Sequence, residues 1–190
     1  MKQLVSYLIG ILRRNKHSIG YFFLLLPGTL AILCGLDVHL VGFFTNSNIV
    51  THYVYPYFHA NILHLAFNVY CFSLVMDVLR KAQAISIVHA FVASFVIGFI
   101  CSYISEYDIP TIGMSGIIYS LVGMHTYLRL LTSGKCTILI VILLNGIAYF
   151  IGTTNILIHI TCFMGGFLYA GLWDLFYIIK YLQNERRRKN

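Results

Sequence analysis

Apolar residues in this chain come in runs of membrane length rather than in the short alternating blocks of a water-soluble fold. With glycine, proline and charge as punctuation, six apolar segments stand out, near residues 18–36, 60–79, 83–103, 115–131, 137–152 and 157–178. Each reads as a helix, because a spanning helix takes roughly 20 mainly apolar residues. The fifth is the shortest at about 16 residues, close to the lower limit for a span. In the first, Pro27-Gly28 predicts a kink, since proline removes a backbone donor. Ahead of the first segment, Leu4, Val5, Leu8, Ile11 and Leu12 recur at helical spacing against Lys2, Arg13 and Lys16, the pattern of a short interfacial helix. Arg13-Arg14 follows this stretch and no small-residue cleavage site does, so it is expected to stay on the chain.

Composition turns this pattern into a class. A chain of 190 residues that is 59% hydrophobic and 10% charged, with mean hydropathy +0.81, cannot hide its apolar surface in a water-soluble domain. The expected fold is an all-α membrane protein, a six-helix bundle, with no room for a separate soluble domain. It divides into a basic amphipathic segment at 1–17, a helical core at 18–178 and a basic tail at 179–190.

Charge placement predicts orientation. In the six-helix layout every Lys and Arg falls on one side: Lys2, Arg13, Arg14 and Lys16 before the first helix, Arg80 and Lys81 after the second, Arg129 and Lys135 around the turn after the fourth, and Lys180 with Arg186 to Lys189 after the sixth. The positive-inside rule then makes both termini and these two turns cytoplasmic. The other side carries Asp37, Glu106 and Asp108. The net charge of +7 is thereby explained by orientation and by contact with anionic headgroups rather than by nucleic acid. Cys34, Cys71, Cys101, Cys136 and Cys162 are odd in number and show no metal-ligand spacing, so structural thiols are expected and no metal or organic cofactor.

The chemistry lies in three signatures on three helices: His59-Ala-Asn-Ile-Leu-His64-Leu-Ala-Phe-Asn68, Gly113-Met-Ser115-Gly116, and His159 at the start of the last segment. The second, fourth and sixth helices all run inward from the non-cytoplasmic face, so these groups converge at one depth. Ser115 precedes Arg129 by 14 residues and His64 precedes Arg80 by 16, which at 1.5 Å per residue places both roughly 20–25 Å from the cytoplasmic side.

Ser115, just after Gly113, opens a helix whose unpaired N–H groups and dipole favour negative charge, such as the oxyanion formed by attack on a peptide carbonyl. A serine hydroxyl needs a base, and His159 is the only histidine of the last helix. No acidic residue is placed to complete a triad. Asp77 and Asp174 lie at cytoplasmic ends and Glu106 and Asp108 precede the serine in an outer loop, so the imidazole has to be oriented another way. Tyr119, one turn below Ser115, is placed to stack on His159. His64 and Asn68 share a helix face from which their N–H groups could donate to the oxyanion. Gly123 on the fourth helix and Cys162, Gly166 and Ala170 below His159 on the sixth form small-residue stripes that allow close approach.

The ordered set H-x(4)-H-x(3)-N, G-x-S-G-x-x-Y and a late histidine with downstream glycine resembles the rhomboid family of intramembrane serine proteases over nearly the whole six-helix core. The resemblance implies a Ser115/His159 catalytic dyad, an oxyanion hole from His64 and Asn68, Tyr119 stacked on the histidine, and His59 bracing the loop before the second helix. It also implies substrate entry past the fifth helix, with the loop 152–156 as a moving cap. The sequence departs from the family pattern in lacking a Trp-Arg pair in the first loop, its only tryptophan being Trp173, and in carrying Cys162 where a glycine is common.

The expected activity is hydrolysis of peptide bonds in or near transmembrane segments of other membrane proteins, inside a lipid bilayer. Helix-breaking or small residues are expected near the cut, since a helical carbonyl is shielded. A bacterial plasma membrane is the expected location, with a eukaryotic secretory membrane as the alternative. Two other classes stay open: a silent rhomboid-like binder of transmembrane helices, and a membrane haem protein using paired histidines. His89 and His125 read as structural, His39 and His52 as loop residues without a special role, and the oligomeric state is not encoded in any pattern.

Overall fold

The computed structural model describes residues 16–82, 86–130, 134–151 and 155–189. Most of the basic segment expected at 1–17, with its interfacial helix, and most of the cap loop expected at 152–156 therefore lie outside the described residues. Those described form seven α-helices: α1 Lys16–Leu33, α2 Ile49–Val54, α3 Ile62–Ala82, α4 Ile87–Ile104, α5 Ser115–Leu128, α6 Gly134–Ile151 and α7 Ile156–Lys189. Two 3-10 turns, Val38–Leu40 and Tyr55–Tyr57, flank α2 in the connection from α1 to α3. Among the described residues the sole strand-like pairing is an isolated bridge between Phe43 and Thr111.

A helix lies on each predicted apolar segment, with ends shifted by a few residues except at the C-terminal end of α7, and α2 is an addition. Three stretches are long and apolar enough to cross a membrane: Ile62–Lys81, Ile87–Ile104 and Ile156–Arg188. Shorter apolar stretches lie on α1 (Ile19–Leu33) and α6 (Gly134–Leu143), and α5 has 14 residues. α1 continues through Pro27 as one helix, so the expected kink does not divide it. Gly28 matters for another reason: a side chain there would overlap the Tyr57 carbonyl of the following connection. α7 runs well past its expected end near 178, because no Gly or Pro follows Gly171 and the tail is rich in strong helix formers. Arg188 pairs with Glu185 one turn earlier at 3.3 Å.

α5 is the central helix, packed against α3, α4, α6 and α7, and it buries residues over its whole length, from Gly116 to Thr126. Leu65, Val69, Phe72 and Leu79 of α3, Ala90 and Ala93 of α4 and Ala170 of α7 close around its Leu121 and Met124. The outward faces are as apolar as this core. Val88, Val92, Val96 and Ile100 form an exposed row down α4, and Leu63, Phe67 and Leu74 one on α3. In water such rows would be a large penalty, whereas in lipid they are the natural exterior, and helix association must come from close packing rather than apolar burial.

That packing is tightest between α5 and α7. A Cβ at Gly123 would overlap the Phe163 carbonyl, and one at Gly166 would overlap the Ser120 carbonyl. The two helices thus touch backbone to backbone through reciprocal glycines, the geometry that small-residue stripes permit. Cys162 is fully buried in this interface, and it fits because its sulfur faces Gly116, where a Cβ would lie 3.3 Å away.

The connection from α1 to α3 is anchored by His52, which the sequence reading treated as an ordinary loop residue. Asn48 caps α2 by accepting from the Val50 N–H, and this sets His52 inward at 1% exposure. The Ser102 hydroxyl donates to the Phe99 carbonyl at 2.6 Å, so His52 Nδ1–H donates to Ser102 Oγ at 2.8 Å. Nε2 then accepts from Ser47 at 3.4 Å. Tyr103 stacks on the ring with centroids 4.0 Å apart, and Phe43 lies on it at 5.5 Å. Burial holds the imidazole below its ordinary range, against the pull of the Glu106 carboxylate. The unfolded chain therefore binds a proton near pH 6.5 that the folded loop resists, and stability falls as pH drops below about 6.5. Thermal unfolding in detergent between pH 7.5 and pH 5 should show a steeper loss for the wild type than for His52→Gln, which keeps hydrogen-bonding capacity but takes up no proton.

Candidate active site

Gly113 bends the chain into α5 with φ +111°, a conformation that side chains other than glycine rarely adopt. A Cβ there would also stand 2.9 Å from His64 Cε1 and 3.1 Å from its Nε2. The loop around it is clamped at each step. Phe43 and Thr111 exchange backbone bonds of 2.9 and 3.2 Å, and Gly113 N–H donates to the Tyr55 carbonyl at 2.9 Å. Met114 N–H donates to His59 Nε2 at 3.5 Å. His59 is fully buried, so its bracing is aimed at the residue before Ser115 rather than at the loop before α3. The result is that Ser115 is the first residue of α5, where the first-turn N–H groups have no intrahelical acceptor.

α7 begins beside it for an equally local reason. Asn155 Oδ1 accepts from the Ile158 N–H at 3.3 Å, and its Nδ2 donates to the Ser105 carbonyl and to Thr111 Oγ1, both at 2.9 Å. This helix cap ties the first turn of α7 to the loop that leads into α5. His159 consequently places Nε2 2.9 Å from Ser115 Oγ. The Tyr119 ring stacks on the imidazole with centroids 4.1 Å apart and planes within 8°. Behind the imidazole stands Asn145 of α6, its Oδ1 3.0 Å from His159 Nδ1. The Asn145 amide nitrogen donates to Tyr119 Oη at 3.1 Å and to the Val141 carbonyl at 2.8 Å.

α3 brings the remaining groups. Asn61 caps it, accepting from the His64 N–H at 2.8 Å, so that His64 and Asn68 project one turn apart toward Gly113. Asn68 is 4% exposed and its Nδ2 is buried without a hydrogen-bond partner. A buried donor left unpaired costs about 1–3 kcal/mol, which makes this amide ready for an acceptor arriving beside Ser115. The His59 and His64 rings meet edge to face at 5.1 Å.

Ser115, His159 and Tyr119 are thus in direct contact, while Gly113, His64, Asn68 and His59 surround the turn that carries the serine. Sequence reasoning missed Asn145 and Asn155. Asn145 had a signal, as a polar side chain deep in the apolar run of α6. Asn155 had one too, as an asparagine immediately before a helix. Among the described residues no three His, Cys, Asp or Glu side chains gather to hold a metal ion. Haem ligation by His159 is disfavoured, because both its ring nitrogens are already engaged by Ser115 and Asn145.

Comparison with known proteins places the chain at the level of family. No individual curated protein and no solved structure matches the chain at a significant level. The family model for the rhomboid domain matches residues 39–174, from the connection before α2 through most of α7. With its apolar helices and this match over well more than half its length, the chain is an integral membrane protein and belongs to the rhomboid family.

Proposed function

We infer that this rhomboid is an intramembrane serine endopeptidase that cuts other membrane proteins in or beside their transmembrane segments. The observation that carries the reading is the 2.9 Å contact between Ser115 Oγ and His159 Nε2, at a helix N-terminus that faces an unpartnered buried amide. In this reading the Ser115 hydroxyl adds to the scissile carbonyl carbon as its proton passes to His159 Nε2. The carbonyl π electrons move onto oxygen, where Asn68, His64 and the N–H groups at the start of α5 can donate. Collapse breaks the C–N bond and returns the proton from Nε2 to the leaving amine. Water then repeats the two steps on the acyl-enzyme and frees Ser115.

The chain is read as six spans with both termini cytoplasmic, from the one-sided distribution of its basic residues. The dyad then opens to the non-cytoplasmic side, where water can reach it. Substrate entry past α6 follows from the family resemblance, and a locally unwound substrate with small or helix-breaking residues suits a site that must reach a shielded carbonyl. A bacterial plasma membrane is the favoured setting.

The oxyanion role gives a graded prediction. Asn68→Ala should lower turnover about 10²–10³-fold if its amide donates to the developing charge, and initial rates on a single-span reporter in proteoliposomes read it. The reading as a whole is tested by labelling the purified protein with a fluorophosphonate, which needs no known substrate. Labelling of wild type that disappears in Ser115→Ala and His159→Ala supports an activated serine. A folded wild type that stays unlabelled would replace this reading with a silent binder of transmembrane helices.

A further inference from the structure

The imidazole of His159 is held from behind by a residue that none of the motifs includes. Asn145 sits on α6, while Ser115 and Tyr119 sit on α5 and His159 on α7. Its side chain is buried and its bonds leave little freedom. The Val141 carbonyl can only accept, so the amide face 2.8 Å from it is the NH2 group. The same nitrogen reaches Tyr119 Oη. The oxygen therefore faces His159 Nδ1 at 3.0 Å, and since an amide oxygen can only accept, Nδ1 must carry the imidazole proton. Nε2 is then left with its lone pair directed at Ser115 Oγ, the tautomer that a general base requires.

We propose that Asn145 is the positioning residue of the catalytic base, a neutral amide in the place that a carboxylate fills in soluble serine proteases. This rests on the serine-protease reading above. As the serine proton moves to Nε2 the ring gains a positive charge, and Nδ1–H keeps donating to the same oxygen throughout, so no reorganisation accompanies the transfer. An amide does this without placing a formal charge inside lipid. The same residue joins the base to the Tyr119 that stacks on it, so ring plane and tautomer are fixed together. Because Asn145 stands on α6, the base is correctly oriented only while α6 is docked against α5 and α7.

The test is steady-state hydrolysis of a single-span reporter by the full chain in proteoliposomes, with Ser115→Ala as background. Asn145→Ala should lower kcat about 10–10²-fold with KM within about threefold of wild type, as expected for a residue that acts on the base and not on substrate binding. A second measurement does not depend on the Asn145 variant folding: 15N NMR of ring-labelled wild type, with the His159 signals identified by their absence in His159→Ala, should show Nδ1 protonated and Nε2 bare. An unchanged kcat in folded Asn145→Ala, or a resting ring protonated on Nε2, would each overturn the proposal. Wild type no more active than Ser115→Ala would instead bring down the protease reading on which it rests.

Discussion

Ser115→Ala should reduce hydrolysis of a single-span reporter to background, a loss of about 10⁴-fold or more, while leaving the folded protein intact. The substitution removes one oxygen, whose hydrogen bond to His159 is the contact that changes, and no cavity of consequence opens at a partly exposed position. His159→Ala should be equally inactive but less benign. It deletes a buried ring that stacks on Tyr119 and bonds Asn145, so a lower unfolding temperature is expected alongside the lost turnover. The informative control is the double variant. If serine and histidine act as one unit, Ser115→Ala/His159→Ala should be no slower than either single change, because removing the second member of a disabled pair removes nothing more. Additive losses would mean that His159 contributes through something other than proton transfer from Ser115.

How much of this was legible beforehand depends on the range of the interactions involved. Ser115, Tyr119 and Gly113 lie within one or two turns of one another, and His64 and Asn68 share one helix face, so sequence spacing alone brings them together. His159 could be placed beside them because basic residues at the other ends of the helices fixed a common depth. The reciprocal contact of Gly123 and Gly166 was likewise readable as a pair of small-residue stripes.

What escaped depends on neighbours that are remote in sequence. Asn145 reads in isolation as a blemish in an apolar run, and acquires meaning only when α6 is laid against α5 and α7. His52 lies in a segment with little regular pattern, and its burial is decided by Ser102, Tyr103 and Glu106 of α4 and the turn after it. The extension of α7 was missed for a different reason: apolarity was used to end the helix, whereas helix propensity, which continues through Lys, Gln, Glu and Arg, decides where it stops.

The closeness of α5 and α7 leads to the second large effect, Gly166→Val. Its Cβ would overlap the Ser120 carbonyl, and because that neighbour is backbone rather than the end of a flexible side chain, no rotamer change relieves the clash. The helices have to move apart, at a cost of about 3 kcal/mol or more, the upper part of the range for overpacked cores. In a bilayer this loss is not offset by the apolar surface of valine, since lipid solvates it as well as the protein does. Gly166 lies two turns along α7 from His159, and Ser120 little more than one turn along α5 from Ser115. Splaying at this crossing is therefore passed on to the 2.9 Å contact of the dyad, where a displacement of about 1 Å can cost 10²-fold in rate. Thermal unfolding in detergent and fluorophosphonate labelling should both fall in Gly166→Val. Gly20→Ala on α1, where a Cβ meets no atom within 4 Å, should leave labelling unchanged and unfolding neutral or slightly raised. A Gly166→Val protein with wild-type stability and labelling would mean that α5 and α7 are not held by backbone contact, and that the dyad distance is set elsewhere in the bundle.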